Sequence, residues 1–261
     1  MKNKRSLITL AIASTLALGM SAAHAVDFTD PKGDDNGPGN YTYPTDGVYK
    51  PGSFDLAKLS VTKNGNQLDF AVETNSRLED PWGMGVGFAV QMVYVFVKNK
   101  EGGNAEVPPG LNVQFAPGHE WNKAVILSPQ KKGRVLGEVT SKAGKLAGDI
   151  LVPNSTKGSN RSIKGSVPLA DLGGDGNPDA WSYQVVMQSN EGFPDTDSLL
   201  ARKVNEYEGQ HRWGGGHDGN CDPHVMDVLE SASATQKQQL AYECGPNGES
   251  VKKATLQMFK K

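Results

Sequence analysis

Two acidic, glycine-rich blocks stand near opposite ends of the chain, one over residues 30–44 and the other over residues 213–227. The first holds Asp30, Asp34 and Asp35 among Pro31, Gly33, Gly37, Pro38 and Gly39, and closes on Tyr41-Thr42-Tyr43-Pro44. The second holds Asp218, Asp222 and Asp227 among Gly214, Gly215, Gly216, Gly219 and Pro223. Glycine and proline at this density interrupt helix and strand, so both blocks read as ordered loops or solvated turns. Carboxylates crowded into a loop repel one another unless water or a cation lies between them. Oxygen-only donors suit a hard cation, and calcium is the cation expected here. The expected ligands are Asp30, Asp34 and Asp35 with Asp218 and Asp222, in one site if the two blocks meet.

Other residue groups admit other chemistry. Cys221 and Cys244 are the two cysteines. In an exported chain such a pair reads as a disulfide. Zinc is the alternative, through His211, His217, Cys221 and His224. Asp175, Asn177 and Asp179 alternate like the start of a calcium loop, but Val186 stands where an EF-hand needs its glutamate, so this stretch reads as a turn. Tyr41, Tyr43, Trp82 and Trp213 sit in Gly/Pro-flanked segments and are the rings expected to face a ligand. Trp121 and Trp181 open strands and read as core. The chain lacks G-x-S-x-G, H-E-x-x-H, C-x-x-C-H and a phosphate-binding glycine loop, so no catalytic residue is assigned.

The elements that must position these groups are mainly strands. Short apolar or alternating runs cover 54–62, 67–74, 86–97, 121–127, 134–139, 145–152, 162–168 and 181–188, separated by turn signals such as Asn64-Gly65. Val93-Tyr94-Val95-Phe96-Val97 is continuous in β-formers and predicts a central strand buried on both faces. Residues 153–160 read as a polar loop. A helix is expected over 231–243, capped by Ser231 or Ser233. The pattern predicts an all-β fold, an antiparallel β-sandwich or jelly roll, with this one short helix in a C-terminal extension over 231–261.

The first 25 residues read as a signal peptide. Lys2, Lys4 and Arg5 precede an apolar run from Leu7 to Met20, and Ala23-His24-Ala25 is an A-x-A cleavage site. The apolar run is too short for a spanning helix, so no transmembrane segment is expected. A periplasmic or secreted protein is expected, one domain over 26–261. Without the leader 24 basic residues remain against 29 acidic, a formal charge of −5. That balance argues against nucleic acid and anionic membranes as partners.

The run Asp30-Pro31-x-Gly33-Asp34-Asp35-x-Gly37-Pro38-Gly39-x-Tyr41-x-Tyr43-Pro44, followed by Phe54-Asp55-Leu56, resembles the start of the glucodextranase C-terminal module, a DOMON-like β-sandwich. The resemblance continues through Asn112-Val113-x-Phe115-Ala116-Pro117, Trp121, Trp181-x-Tyr183 and Glu191-Gly192-Phe193. It ends on Arg212-Trp213-Gly214-Gly215-Gly216-x-Asp218 and Asp222-Pro223-x-Val225-x-Asp227, near residue 230. The resemblance implies a non-catalytic module bound to polysaccharide or a cell-envelope component, with structural calcium. The chain departs from the pattern in the Cys221–Cys244 segment, in the C-terminal helix and in carrying no attached glycosidase domain; a separate enzyme is a further expected partner. The wider fold class also includes b-haem electron-transfer subunits, for which Met84, Met92, Met187 and His119 are the available axial ligands. A purely structural envelope protein is the third alternative.

Overall fold

The computed structural model describes residues 25–261, so the expected signal peptide lies outside the described residues except for Ala25, which opens the first strand. The strands are β1 (Ala25–Thr29), β2 (Leu56–Asn64), β3 (Gln67–Thr74), β4 (Gln91–Lys98), β5 (Val113–Phe115), β6 (Lys123–Leu127) and β7 (Ile150–Leu151). They continue with β8 (Thr156–Ser159), β9 (Ser162–Pro168), β10 (Ser182–Ser189), β11 (Asp227–Val228), β12 (Glu243–Cys244), β13 (Ser250–Lys252) and β14 (Ala254–Leu256). Two five-stranded sheets carry the fold, in the orders β1-β2-β3-β9-β8 and β11-β10-β4-β6-β7.

The two sheets bury their side chains differently, as their sequences dictate. Strand β3 alternates, with Leu68, Phe70 and Val72 buried and the residues between them partly exposed, so the first sheet has one dry face. Strand β4 is buried on both faces, as its unbroken apolar run predicts. Val93, Val95 and Val97 pack with Leu59, Phe70, Val72 and Ile163 of the first sheet. Met92, Tyr94 and Phe96 pack on the other side with Val113, Phe115, Val135, Val139 and Leu256. Gly165 of β9 has no room for a side chain: a Cβ there would lie 2.8 Å from a Leu127 methyl of β6.

Several expected elements differ. Residues 134–139 are not a strand but part of helix α1 (Lys132–Lys142). Val135 and Val139 are buried one turn apart, and Glu138 pairs with Arg134 at 2.8 Å and Lys142 at 2.7 Å, both at i,i±4 spacing. Residues 145–152 are a 3-10 turn (Gly144–Asp149) followed by the two-residue β7. The loop expected over 153–160 contains edge strand β8.

The sheets are not wholly antiparallel, since β6–β7 and β5–β14 pair parallel. A second helix, α2 (Leu169–Leu172), follows β9. The C-terminal extension is mostly not helical. Only α3 (Gln236–Gln239) forms, because Ser231 and Ala234 close a turn and the capping box of Thr235 with Gln238 starts the helix later. The remainder forms the β12–β13 hairpin and then β14.

Candidate metal centre

The two acidic blocks meet. Thr42 and Gly214 exchange backbone hydrogen bonds at 2.9 and 3.1 Å, and Gly37 donates its N–H to the Met226 carbonyl at 2.9 Å. Glycine is required at the junction. Gly215 has φ +83°, and a Cβ there would run into the carbonyl oxygen of Asn40. Beneath the junction a small core forms from Tyr41, Tyr49, Phe54, Val90, Val204, Trp213 and Met226.

Asp30, Asp34 and Asp227 each offer a carboxylate oxygen here, all within 4.8 Å of one another, and the group could hold a metal ion. Asp30 follows the end of β1, Asp34 lies in the first block, and Asp227 opens β11, at the edge of the second sheet. Asp55 sits immediately before β2, next to the group. Each anchored carboxylate spends one oxygen on a backbone N–H. Glu230 donates to Asp30 Oδ1 at 2.8 Å, Leu56 to Asp227 Oδ2 at 2.6 Å, and Gly33 to Asp55 Oδ2 at 2.7 Å. The Asn75 side chain adds a bond to the same Asp55 oxygen at 3.0 Å.

Asp30 Oδ2, Asp34 Oδ1, Asp55 Oδ1 and Asp227 Oδ1 are buried with no hydrogen-bond partner. Buried polar atoms are usually satisfied, so unpartnered oxygens gathered at one place form a group that could hold a metal ion. An all-oxygen donor set selects a hard cation over zinc or copper.

The electrostatics agree. Burial pushes the Asp30 carboxyl up to about 8, with the charges of Asp34, Glu230 and Asp55 adding to the rise. Burial raises Asp34 to about 6, helped by Glu230, Asp55 and Asp35. Asp227 is raised well above the usual carboxylate range, first by burial and then by Asp30 and Asp34. The charges that raise these groups are those of other carboxylates.

Of the expected ligands only Asp30 and Asp34 fall in the group. Asp35 is buried but accepts a hydrogen bond from the Tyr43 hydroxyl. Asp218 is exposed and accepts the Glu206 N–H at 3.0 Å. Asp222 is buried elsewhere, against the Tyr41 hydroxyl at 3.3 Å and the His217 N–H at 3.3 Å. Asp227 and Asp55 stand outside the expected ligand set, although each is a lone acid in an apolar run, Val225-Met226-Asp227-Val228-Leu229 and Phe54-Asp55-Leu56. A charge that interrupts buried residues was the available signal.

The expected ligand rings divide. Trp82 is 39% exposed. Trp213 is fully buried, against Tyr43 at 4.4 Å and Phe54 at 5.0 Å between ring centroids. Tyr41 is buried and donates to the Pro223 carbonyl at 2.5 Å. Tyr43 is partly buried between Phe54 and Trp213. These three rings plug the junction of the blocks, because the second block folds over the first.

Cys221 and Cys244 are joined as a disulfide, which removes Cys221 from any zinc site and fits an extracytoplasmic location. Among the described residues no helix is long and apolar enough to cross a membrane. Asp175 Oδ1 accepts from Asn177 N–H at 2.9 Å and the Trp181 indole at 2.7 Å, as a turn residue does. The methionines considered for haem do not converge: Met92 and Met187 belong to core clusters on opposite faces of the second sheet. His119 Nδ1 is occupied by the Met258 N–H at 2.9 Å.

Residues 25–258 match the family model described as the C-terminal binding-module, SLH-like, of glucodextranase. The match runs past residue 230, so the disulfide segment is part of the module rather than an addition to it. No curated protein matches the chain. The matched family is a binding module and not a catalytic domain. On a match over nearly all of its described residues, the chain belongs to the family of the C-terminal, SLH-like binding module of glucodextranase.

Proposed function

We propose that the protein is an exported, non-catalytic module that binds carbohydrate or another cell-envelope component, with its two sheets packed as a β-sandwich and calcium locking the two terminal blocks together. The observation that carries the calcium reading is the set of orphaned, buried oxygens on Asp30, Asp34, Asp55 and Asp227. In this reading Asp30, Asp34 and Asp227 hold the ion, and Asp55 stands beside them. The ion supplies positive charge where carboxylates otherwise repel, and it cross-links β1, the first block and β11. It takes no part in a reaction.

Membership of a binding-module family supports the ligand half of the reading. The partner is a polysaccharide or envelope component, met alone or beside a separate enzyme. Affinity electrophoresis of the calcium-loaded mature protein through dextran, soluble starch, β-glucans and cell-wall polysaccharides tests it. Retardation without release of sugar is expected. No retardation in any gel, with the protein folded, would reject the carbohydrate reading.

A further inference from the structure

The protein leaves two large aromatic rings in solvent beside one cleft. Trp82 is 39% exposed and Phe193 is 94% exposed, whereas Trp121, Trp181 and Trp213 are buried. Both exposed rings line a cleft of about 480 Å³ whose wall also carries Gln130, Asn190, Glu191 and Arg202. That volume lies within the range of sites for small ligands, roughly 300–1,000 Å³.

The Trp82 ring and the loop that carries Phe193 are both held in place. Trp82 lies edge-on to Tyr49 at 6.3 Å and to His211 at 6.4 Å between centroids. Phe193 projects from the loop after β10, where its N–H donates to Glu191 Oε1 at 2.9 Å. Arg134 donates to the neighbouring Gly192 carbonyl at 3.4 Å.

The polar wall is planar and charge-balanced. Glu191 and Arg202 pair at 2.9 Å, and Arg202 also donates to the Asn190 carbonyl at 3.3 Å. Arg202 Nε is buried without an acceptor. Gln130 donates to Asn190 Oδ1 at 3.3 Å. Past Arg202 the cleft continues into a second hollow of about 250 Å³, which shares Glu191, Phe193, Arg202 and His211.

We infer that this cleft binds a neutral pyranose polymer, with Trp82 and Phe193 stacking on sugar faces and the Gln130, Glu191 and Arg202 side chains meeting its hydroxyls. Exposed rings offer large apolar contact to the C–H faces of a sugar. Planar amide, carboxylate and guanidinium groups suit paired hydrogen bonds to adjacent hydroxyls. The Glu191–Arg202 pair cancels its own charge, which disfavours a phosphorylated or carboxylated ligand. The continuation past Phe193 suits a chain of several sugars. The inference rests on the carbohydrate-binding reading and gives it a location.

The test is affinity electrophoresis of the calcium-loaded mature protein through dextran, soluble starch, laminarin and hydroxyethyl cellulose, with Trp82→Ala, Phe193→Ala and Phe193→Tyr beside the wild type. Phe193 lies almost wholly in water, so its removal leaves the fold intact even if Trp82→Ala does not fold. The expected result is binding of at least one polymer that weakens at least tenfold in Phe193→Ala and is restored in Phe193→Tyr. Titration of the same polymer should shift tryptophan emission in the wild type and not in Trp82→Ala. Unchanged binding in both alanine variants overturns the cleft and leaves the carbohydrate reading standing elsewhere on the surface. Failure of the wild type to bind any of the four polymers overturns the cleft as well.

Discussion

Asp30 and Asp227 lie near opposite ends of the chain, yet they offer carboxylate oxygens within 4.8 Å of each other. Each is fixed by one backbone N–H, from Glu230 and Leu56, and each turns its other oxygen toward the same spot without a partner. A cation held there would tie the start of the first sheet to the edge of the second.

Calcium should therefore raise the melting temperature of the mature protein, and EDTA should lower it. Binding only to the native state adds about 2.7 kcal/mol at a hundredfold excess over Kd. For a domain of this size that is a shift on the order of 5–10 °C. Asp227→Asn should abolish the calcium response, and it should melt no lower than wild type in EDTA, because a neutral isostere relieves the repulsion. Asp218→Asn should leave both curves unchanged. Identical wild-type melts with and without calcium, by differential scanning calorimetry, would contradict the proposed site.

The metal-free protein should gain stability as the pH falls from 8 to 6.5. Asp30 is raised from 3.8 to about 8, and Asp227 is raised as well. Between the unfolded and native values the native state binds more protons than the unfolded chain, so stability declines as pH rises. Below about 6.5 His224 opposes this trend, since burial lowers it to about 4. Calcium needs the carboxylates ionised, so its stabilisation should be largest at pH 8 and shrink toward pH 5. Melts in EDTA and in calcium at pH 8, 6.5 and 5 measure both trends. A calcium increment that grows on acidification would count against carboxylate ligation.

Reduction of the Cys221–Cys244 bridge should cost on the order of 3 kcal/mol, the loop-entropy value for its span. Mass spectrometry of the exported protein should show the cross-linked peptide and no free thiol. The Cys221→Ser, Cys244→Ser double variant should lose this stability and keep its calcium response, because the group of Asp30, Asp34 and Asp227 draws on neither cysteine. Urea denaturation with and without calcium separates the two effects.

Trp213→Ala should fail by unfolding rather than by losing a ligand contact. The ring is fully buried against Tyr43 and Phe54. Truncating a buried tryptophan costs about 3–5 kcal/mol. A urea midpoint close to that of the wild type would show that the ring does not pack as described.

The residues taken alone determined what local pattern can determine. Period-two alternation located β3 and β9 to the residue, and the unbroken run at 93–97 located the doubly buried strand. The same rule misread 134–139, where Val135 and Val139 stand one helical turn apart and Glu138 sits between Arg134 and Lys142. An even pair of cysteines was enough for the disulfide. The two acidic blocks are visible as a concentration of carboxylates, three of which fall in the group that could hold a metal ion, and the end motifs as a family pattern that the match over 25–258 extends.

Only the tertiary structure decided which acids converge and which rings stay in water. Asp227 joins Asp30 because β11 extends the second sheet beside the end of β1, a pairing across nearly 200 residues that no local spacing encodes. Asp35 and Asp222 turn instead to tyrosine hydroxyls. Trp213 and Tyr41 carry the same Gly-flanked signature as Trp82, but each block buries the other's ring, while Trp82 stays partly exposed and Phe193 almost wholly so. Burial is a property of what arrives from elsewhere in the chain, so a residue's neighbours in sequence cannot fix it.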